Sequence, residues 1–448
     1  MRTMKKFSPW PATALMAALM IPAAQADSVK LDVQMSTPVV LAGTSQKAYM
    51  RVALTGLESR RRHRAPVNVA IVLDRSGSMG GSKIEEAKRA ALMALRKLGD
   101  DDIVSIITYH STVDVLVPAT KLSDRGSIRR AIQGIEAGGR TALFAGVSKG
   151  ARELRKFVDR NRVNTLILLS DGLANVGPSS PGELGRLGAS LAREGITVTT
   201  IGLGLQYNED LMTRLAMASD GNHFFVEDEE DLELAFATEF GDALSVVGQG
   251  FTIYIECPPG VRPIRMVGRE AEIAGREVHA SLNQIYRDQT RYLLLEVELS
   301  PADAGKAQRV GDVEVGYYDL DSGSRAKLQD SVSVTYAKSP AAVEKASNRE
   351  VMTAVVSQIG AERNEAATAL RDKGKVEEAR VAFESNSVYL QENAQRLDAP
   401  QLQDDAAVNL EASENLGEKE WNRERKKQVE GQYKTRQQRA VIPQRNKN

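Results

Sequence analysis

Residues 67–81 read VNVAIVLDRSGSMGG, an unbroken apolar run that ends in alternating polar residues and then glycines. The run Val67–Leu73 predicts a strand buried on both faces, which is typical of parallel sheets covered by helices. Asp74, Ser76 and Ser78 can point the same way only if the chain coils, which the glycines permit. Such an oxygen-rich loop can bind a hard cation, but an aspartate at a strand end is also a common helix cap.

Strand-like and helix-like segments alternate from residue 66 to residue 245. Strands are predicted at 67–73, 103–109, 113–117, 163–169, 196–203 and 223–226, and helices at 83–97, 124–137, 143–157, 181–194, 209–218 and from 231 onward. Alternation of this kind, with continuous apolar strands, is typical of the α/β class. It predicts a doubly wound, mostly parallel, Rossmann-like sheet with helices on both faces.

The segments on either side of this domain have a different pattern. Residues 27–60 and 247–337 alternate apolar and polar positions between Gly, Asp and Pro turns, which indicates antiparallel strands solvated on one face. We expect one antiparallel β-sandwich, with the α/β domain inserted in it or flanked by it. Two separate β-elements are the alternative.

The C-terminal part of the sequence predicts helices. Residues 341–440 are rich in Ala, Glu, Arg and Gln, and a hairpin near 363–395 resembles a tetratricopeptide-type unit. The last thirty or so residues are basic, and we expect a solvated helix that frays into a disordered tail at 441–448. A docking site for an anionic partner is the alternative for the same residues.

The N-terminal residues have the pattern of a secretory signal peptide. Basic residues precede a short apolar stretch, and an Ala-Gln-Ala cleavage site ends at Ala26. The apolar stretch is shorter than the roughly 20 residues that a membrane-spanning helix needs, although a membrane anchor is the alternative. We therefore expect residues 1–26 to be removed from a periplasmic or secreted protein with no membrane span. With 59 basic and 59 acidic residues, no overall charge favours nucleic acid.

Two further stretches place polar residues at the same edge of the predicted sheet. Residues 137–147, AGGRTALFAGV, hold Thr141 after a glycine pair, and residues 163–177, VNTLILLSDGLANVG, end a buried strand at Asp171. With the first loop, these residues resemble the metal-ion-dependent adhesion site of the von Willebrand factor type A (VWA) domain family. The resemblance covers residues 66–245. All ligand positions of the family occur in the expected order: Asp74, Ser76, Ser78, Thr141 and Asp171.

The resemblance implies a protein-binding or adhesion module. Ser76, Ser78 and Thr141 would bind one divalent cation directly, whereas the two aspartates would act partly through water. Because hydroxyls are the main ligands, we expect Mg²⁺ or Mn²⁺, with competition from Ca²⁺. An Asp or Glu carboxylate of a protein partner would complete the coordination. Arg75 and Asn175 are candidate contacts to that partner, with a solvent-facing side chain and a turn-shaping role as their respective alternatives.

Two other functions compete with adhesion. A hydrolase would use Ser76 or Ser78 with His110 as the base and Asp171 as its orienting group, but no G-x-S-x-G motif is present, and we expect no enzyme. A cell-envelope scaffold would instead bind partners through its C-terminal helices.

Overall fold

The computed structural model describes residues 28–58, 64–122 and 124–441. Its strands are β1 (Val29–Met35), β2 (Val39–Leu41), β3 (Gln46–Gly56), β4 (Val67–Asp74), β5 (Ile103–Tyr109), β6 (Val113–Lys121), β7 (Val163–Ser170), β8 (Ile196–Leu203), β9 (His223–Val226), β10 (Val246–Glu256), β11 (Val261–Val267), β12 (Glu272–Ala274), β13 (Glu277–Tyr286), β14 (Gln289–Leu299), β15 (Ala307–Asp319), β16 (Ser324–Ala337) and β17 (Arg439–Val441). Its helices are α1 (Ser82–Lys97), α2 (Arg125–Gln133), α3 (Leu143–Arg155), α4 (Pro181–Arg193), α5 (Glu209–Ala218), α6 (Leu232–Ala243), α7 (Pro340–Lys345), α8 (Arg349–Asp372), α9 (Val376–Leu397), α10 (Pro400–Glu414) and α11 (Glu418–Arg436). Within these ranges no helix is both long and apolar enough to cross a membrane. The predicted signal peptide, residues 1–26, lies outside the described residues.

The central sheet has the strand order β6-β5-β4-β7-β8-β9. Neighbouring strands are parallel except β6, which runs antiparallel to β5. Every residue of β4, β7 and β8 is buried, as the apolar runs predicted for β4 and β7. The predicted α/β class with a mostly parallel sheet is therefore confirmed.

Helices cover both faces of this sheet. Ile71 of β4 belongs to the core that α1 and α6 cover, where it lies with Phe236. The next residue, Val72, points to the opposite core, which includes Leu184 of α4. Because successive side chains of a strand alternate between faces, an unbroken apolar strand needs both layers of helices.

Both flanking segments contribute to the same β-sandwich. One sheet is antiparallel and has the order β1-β3-β14-β11, with β17 on β14. The other has the order β12-β13-β10-β15-β16-β2 and is antiparallel except that β2 runs parallel to β16. Strand β3 precedes the α/β domain and pairs over its length with β14, which follows it. Side chains from before and after the domain share the interior, for example Met50 with Ile253 and Val313. The α/β domain is therefore inserted between strands of the sandwich.

Helices α8 to α11 form a helical region that packs on the sandwich. Gly374, with a φ of +76°, lies in the turn between α8 and α9. Val351 and Val355 of α8 pack against Val267 and Leu294 of the first sheet. The helical region predicted from composition is thus present.

Helix α11 differs from the solvated helix that the sequence favoured. Trp421 and Tyr433 are buried, and the Tyr433 hydroxyl donates to the Gly221 carbonyl at 2.6 Å, so α11 docks on the α/β domain. After α11 the chain pairs with β14, with Val441 opposite Gln289. Val441, which was predicted to belong to the tail, therefore lies in a strand, and the rest of the predicted tail, residues 442–448, lies outside the described residues.

Candidate functional site

The two predicted aspartates lie at the ends of adjacent parallel strands. Asp74 is the last residue of β4, and Asp171 directly follows β7. The register pairs Leu73 with Leu169, so both carboxylates emerge at the carboxyl edge of the sheet, near its centre. Both residues are 0% exposed.

The loop after β4 coils as the glycine-rich sequence requires. The Ser76 backbone N–H donates to Asp74 Oδ1 at 2.8 Å, and the Gly77 N–H donates to the Gly139 carbonyl at 3.0 Å. A 3-10 turn then leads to Gly81, whose φ of +83° precedes α1. This path brings the Ser76 and Ser78 hydroxyls to 3.1 Å from each other.

The oxygen atoms of this loop meet those of the two more distant stretches. Ser78 Oγ donates to Asp171 Oδ1 at 2.7 Å. A Cβ built on Gly172 would lie 3.3 Å from Ser78 Oγ and 3.5 Å from Thr141 Oγ1. The structure thus brings Asp74, Ser76, Ser78, Thr141 and Asp171 together, and glycine at position 172 leaves space beside their hydroxyls.

The donor set is chemically suited to a hard divalent cation. It consists of hydroxyl and carboxylate oxygens, which are the ligands that Mg²⁺ and Ca²⁺ prefer. Burial raises the pKa of Asp74, and the charge of Asp171 adds to the rise, while hydrogen bonds from Ser76 and Ser170 oppose it. A nearby cation would favour the ionised carboxylates. In the part of the chain that the structure describes, no group of three or more His, Cys, Asp and Glu side chains offers an alternative metal site.

Comparison with known families agrees with this geometry. Residues 68–238 match the family model described as the von Willebrand factor type A domain. These residues form a VWA domain. The match begins in β4 and ends in α6, so it includes all five candidate ligands.

Curated relatives share this domain at modest identity. An uncharacterized protein of Synechocystis is 28% identical over 304 residues, which are 66% of this chain and 71% of the relative. YfbK of Escherichia coli is 24% identical over 228 residues, which are 50% of this chain and 40% of the relative. Human inter-alpha-trypsin inhibitor heavy chain H3 is 28% identical over 180 residues, which are 38% of this chain and 20% of the relative. The chain thus spans less than half of the latter two relatives.

Solved structures show that the fold beyond the VWA domain is also shared. A von Willebrand factor type A protein from Catenulispora acidiphila superposes with a TM-score of 0.68 at 16% identity, over 85% of this chain and 91% of that one. The ArnB paralog VWA2 from Sulfolobus acidocaldarius superposes with a TM-score of 0.60 at 18% identity, over 93% of this chain and 99% of that one. At this identity the likeness establishes the fold alone.

Two residues that contact the candidate ligands were not predicted from the sequence. Ser170 Oγ donates to Asp74 Oδ2 at 2.7 Å, which fixes the orientation of that carboxylate. Lys83 Nζ donates to Asp171 Oδ2 at 2.7 Å, and its side chain is 30% exposed. The sequence held a signal for Ser170, which directly precedes Asp171, but none for Lys83, whose position in the first turn of α1 is also that of an ordinary surface lysine.

The two candidate partner contacts have neighbours of their own. Arg75 Nη2 donates to Asp114 Oδ2 at 2.9 Å, at the start of β6. Asn175 Oδ1 accepts from the Thr141 N–H at 2.9 Å, and the Asn175 N–H donates to the Thr141 carbonyl at 3.1 Å. Asn175 therefore holds the threonine loop in place, and it also lines the cleft beside the site.

The arrangement lacks the contacts of a serine hydrolase. His110 Nδ1 accepts from the Thr112 N–H at 3.0 Å. Across the described residues no hydrogen bond joins His110 to Ser76 or Ser78. Since Ser78 donates to Asp171 instead, the serine has no imidazole base to activate it.

A cleft of about 590 Å³ opens directly beside the candidate ligands. Ser78 and Thr141 line it, together with Gly172, Leu173 and Asn175 of the loop after β7. The remaining lining comes from residues 205–210, which lead into α5, and from two residues of α11. The site is thus accessible to a group of another molecule.

Proposed function

We propose that this protein is a metal-dependent protein-binding module. One divalent cation would be held by Asp74, Ser76, Ser78, Thr141 and Asp171, and a carboxylate of a partner protein would complete its coordination. The observation that carries this proposal is the hydrogen-bonded cluster of Ser76, Ser78 and Asp171, in which Ser78 lines an open cleft.

The chemistry of the ligands supports an electrophilic cation. Hydroxyls neutralise less of a cation's charge than carboxylates do, so a bound cation would attract a further anionic ligand. Asp74 is suited to an indirect role, because its two oxygens already accept hydrogen bonds from the Ser76 N–H and the Ser170 hydroxyl. Mg²⁺ or Mn²⁺ fits this set better than a tightly bound Ca²⁺, which prefers several carboxylates.

The family supports a binding function and not a reaction. VWA domains are interaction modules, and the inter-alpha-trypsin inhibitor heavy chain H3 relative contains the matching region. On this ground we propose that the protein is not an enzyme.

A pull-down from envelope extract tests the proposal. Immobilised wild-type protein should retain a partner in Mg²⁺ and release it in chelator. Ser78→Ala should retain little, because it removes one ligand, whereas Ser331→Ala, an exposed serine of β16, should behave like the wild type. Equal retention by wild type and Ser78→Ala in both conditions would refute metal-dependent binding.

We also propose that the protein is exported and that residues 1–26 are removed. The sequence pattern supports this, and the first described strand begins at Val29, just after the proposed cleavage. Ser28 is already buried, and its hydroxyl donates to Asp319 at 2.8 Å. Mass spectrometry of the protein recovered from its native compartment should give an N-terminus at Asp27, and an intact Met1 would contradict the proposal.

A scaffold function through the helical region is the second candidate. Val381 and Val388 lie seven positions apart on α9, hence on one helix face, and both are exposed. If these residues bind the partner, Val381→Ser with Val388→Ser should abolish the pull-down, and chelator should have no effect.

A further inference from the structure

The cleft beside the candidate cation site has a wall from outside the VWA domain. Asn422 and Lys426 of α11 line it together with Ser78 and Thr141. Glu209 and Asp210, at the start of α5, belong to the same lining, and we call these two residues the acidic wall. The C-terminal helix and the cation site therefore face one space.

Helix α11 is held firmly on the VWA domain. Asn422 Nδ2 donates to the Leu205 carbonyl at 3.1 Å. Lys426 is 2% exposed, its Nζ donates to the Tyr207 carbonyl at 3.1 Å, and it lies over the Tyr207 ring. Further along, Glu430 Oε1 accepts from the Phe225 N–H at 3.1 Å. The side of the cleft that α11 forms is therefore fixed in place.

The cations of α11 match the acidic wall. Lys426 Nζ lies 2.6 Å from Glu209 Oε2, Arg425 Nη1 lies 2.5 Å from Glu209 Oε1, and Arg425 Nη2 lies 2.9 Å from Asp210 Oδ2. Burial alone would raise the pKa of Glu209, but Lys426 and Arg425 outweigh it and the pKa is lowered. Glu209 is thus a carboxylate whose charge is balanced from another domain.

We infer that α11 neutralises the acidic wall so that the cleft beside the cation accepts an anionic partner group. This inference rests on the proposed function, because it concerns the same cleft and the same partner carboxylate. Without Lys426 and Arg425, Glu209 and Asp210 would present negative charge beside the site. That charge would strengthen cation binding and repel the carboxylate that the cation must attract.

The inference predicts effects of opposite sign on two ligands. Removing one of the positive charges of α11 that pair with the acidic wall should lower the dissociation constant of the cation and raise that of an acidic ligand. For charges in one partly solvated cleft, each change should be about two- to fivefold. A variant that damages the fold would weaken the binding of both ligands, so it would not produce shifts of opposite sign.

Lys426→Met tests the inference, because Met keeps most of the side-chain volume without the charge. Mn²⁺ binding is measured by water-proton relaxation. The acidic ligand is a capped Gly-Glu-Gly peptide, followed by NMR line broadening from bound Mn²⁺, with capped Gly-Gln-Gly as its uncharged reference. Lys434→Met, on the same helix and not in the cleft lining, is the control.

A second variant separates charge from packing. Glu209→Gln combined with Lys426→Met restores the charge balance of the wall and should return both dissociation constants toward those of the wild type. If Lys426→Met does not fold, Arg425→Gln replaces it. This variant removes the other α11 charge that pairs with the acidic wall, from a side chain that is less buried, at 18% exposed.

The outcomes are distinguishable from those for the proposed function. Opposite shifts in the single variant and their reversal in the double variant support the inference. If the wild type binds Mn²⁺ and the acidic peptide but the variants shift both in the same direction or not at all, the inference is wrong and the proposed function stands. If the wild type binds no Mn²⁺, or binds it without the acidic peptide, both are wrong.

Discussion

Replacing Asp220 with Asn should destabilise the junction between the VWA domain and the β-sandwich. Asp220 lies between α5 and β9, and its Oδ2 and Oδ1 accept from Arg291 Nη1 and Nη2 of β14, both at 2.7 Å. Oδ2 also accepts from the Asn283 N–H at 2.6 Å. Arg291 is 1% exposed, so its charge has no access to water when Asp220 loses its own.

The magnitude follows from the burial of this pair. Breaking a buried ion pair from one side costs about 3–5 kcal/mol, because the remaining charge is uncompensated. Burial alone would raise the pKa of Asp220, but the charge and hydrogen bonds of Arg291 outweigh it and lower the pKa from 3.8 to about 2. That difference in pKa corresponds to roughly 2.4 kcal/mol, which agrees in order of magnitude with the cost expected for breaking the ion pair. Because the pKa is lowered, the stabilisation is present above about pH 4 and is lost as the pH falls through about 2.

Urea unfolding of the wild type and Asp220→Asn at neutral and acidic pH measures this effect. Asp288→Asn is the matched control, because Asp288 is exposed and has a φ of +55°, close to the +58° of Asp220. We expect Asp220→Asn to lose about 3–5 kcal/mol at neutral pH and much less near pH 2. A neutral-pH loss within about 1 kcal/mol of that in Asp288→Asn would refute the reasoning.

Three further changes have expected outcomes of their own. Lys83→Met should tighten Mn²⁺ binding about three- to tenfold, because it removes the ammonium that pairs with Asp171; equal or weaker binding in a titration would contradict this. Burial and nearby lysines lower the pKa of His223 to about 3. As the pH falls below about 6.5, this histidine is therefore protonated in the unfolded chain but not in the folded one, and the folded state loses stability. Between about pH 7 and about pH 4 the wild type should therefore lose about 3 kcal/mol more than His223→Gln in urea unfolding, and parallel losses would argue against a buried neutral imidazole. In Gly221→Ala the new Cβ would lie 2.2 Å from the Val198 carbonyl oxygen, so thermal unfolding should show a loss of about 2–3 kcal/mol, and an unchanged melting temperature would rule out the clash.

The sheet could be predicted because its strands carry their burial in their own sequence. Most residues of a strand such as β7 are apolar, and they lie on both of its faces, so only a sheet between two layers of helices buries them all. The sandwich was predictable as a class from the alternating flanks. Its long-range pairing, such as Leu295 of β14 with Met50 of β3, depends on residues that no local pattern links.

The candidate ligands were predictable because each lies at a strand end or in a glycine-containing loop. The ion pair of Lys83 with Asp171 was not, since it depends on where a flexible side chain folds back from α1. A lysine in the first turn of a helix has no pattern that distinguishes it from a solvated surface residue.

Helix α11 shows why a polar sequence need not be a solvated one. Its buried positions include Glu424, Lys426 and Gln428, which a hydropathy pattern assigns to solvent. Lys426 is buried because Glu209, 217 positions earlier in the chain, supplies its counter-charge. Such pairing is a property of the assembled fold and has no signal in the local sequence.

Binding of Mn²⁺ to the wild type, Ser78→Ala and Ser331→Ala, followed by electron paramagnetic resonance of free Mn²⁺, tests the cation site most directly. The wild type and the β16 control Ser331→Ala should bind a single Mn²⁺ per chain with equal affinity, and Mg²⁺ should displace it. Ser78→Ala should bind at least about tenfold more weakly, because it loses a hydroxyl that lies between Ser76 and Asp171. No saturable binding by the wild type, or equal binding by Ser78→Ala, would contradict the account.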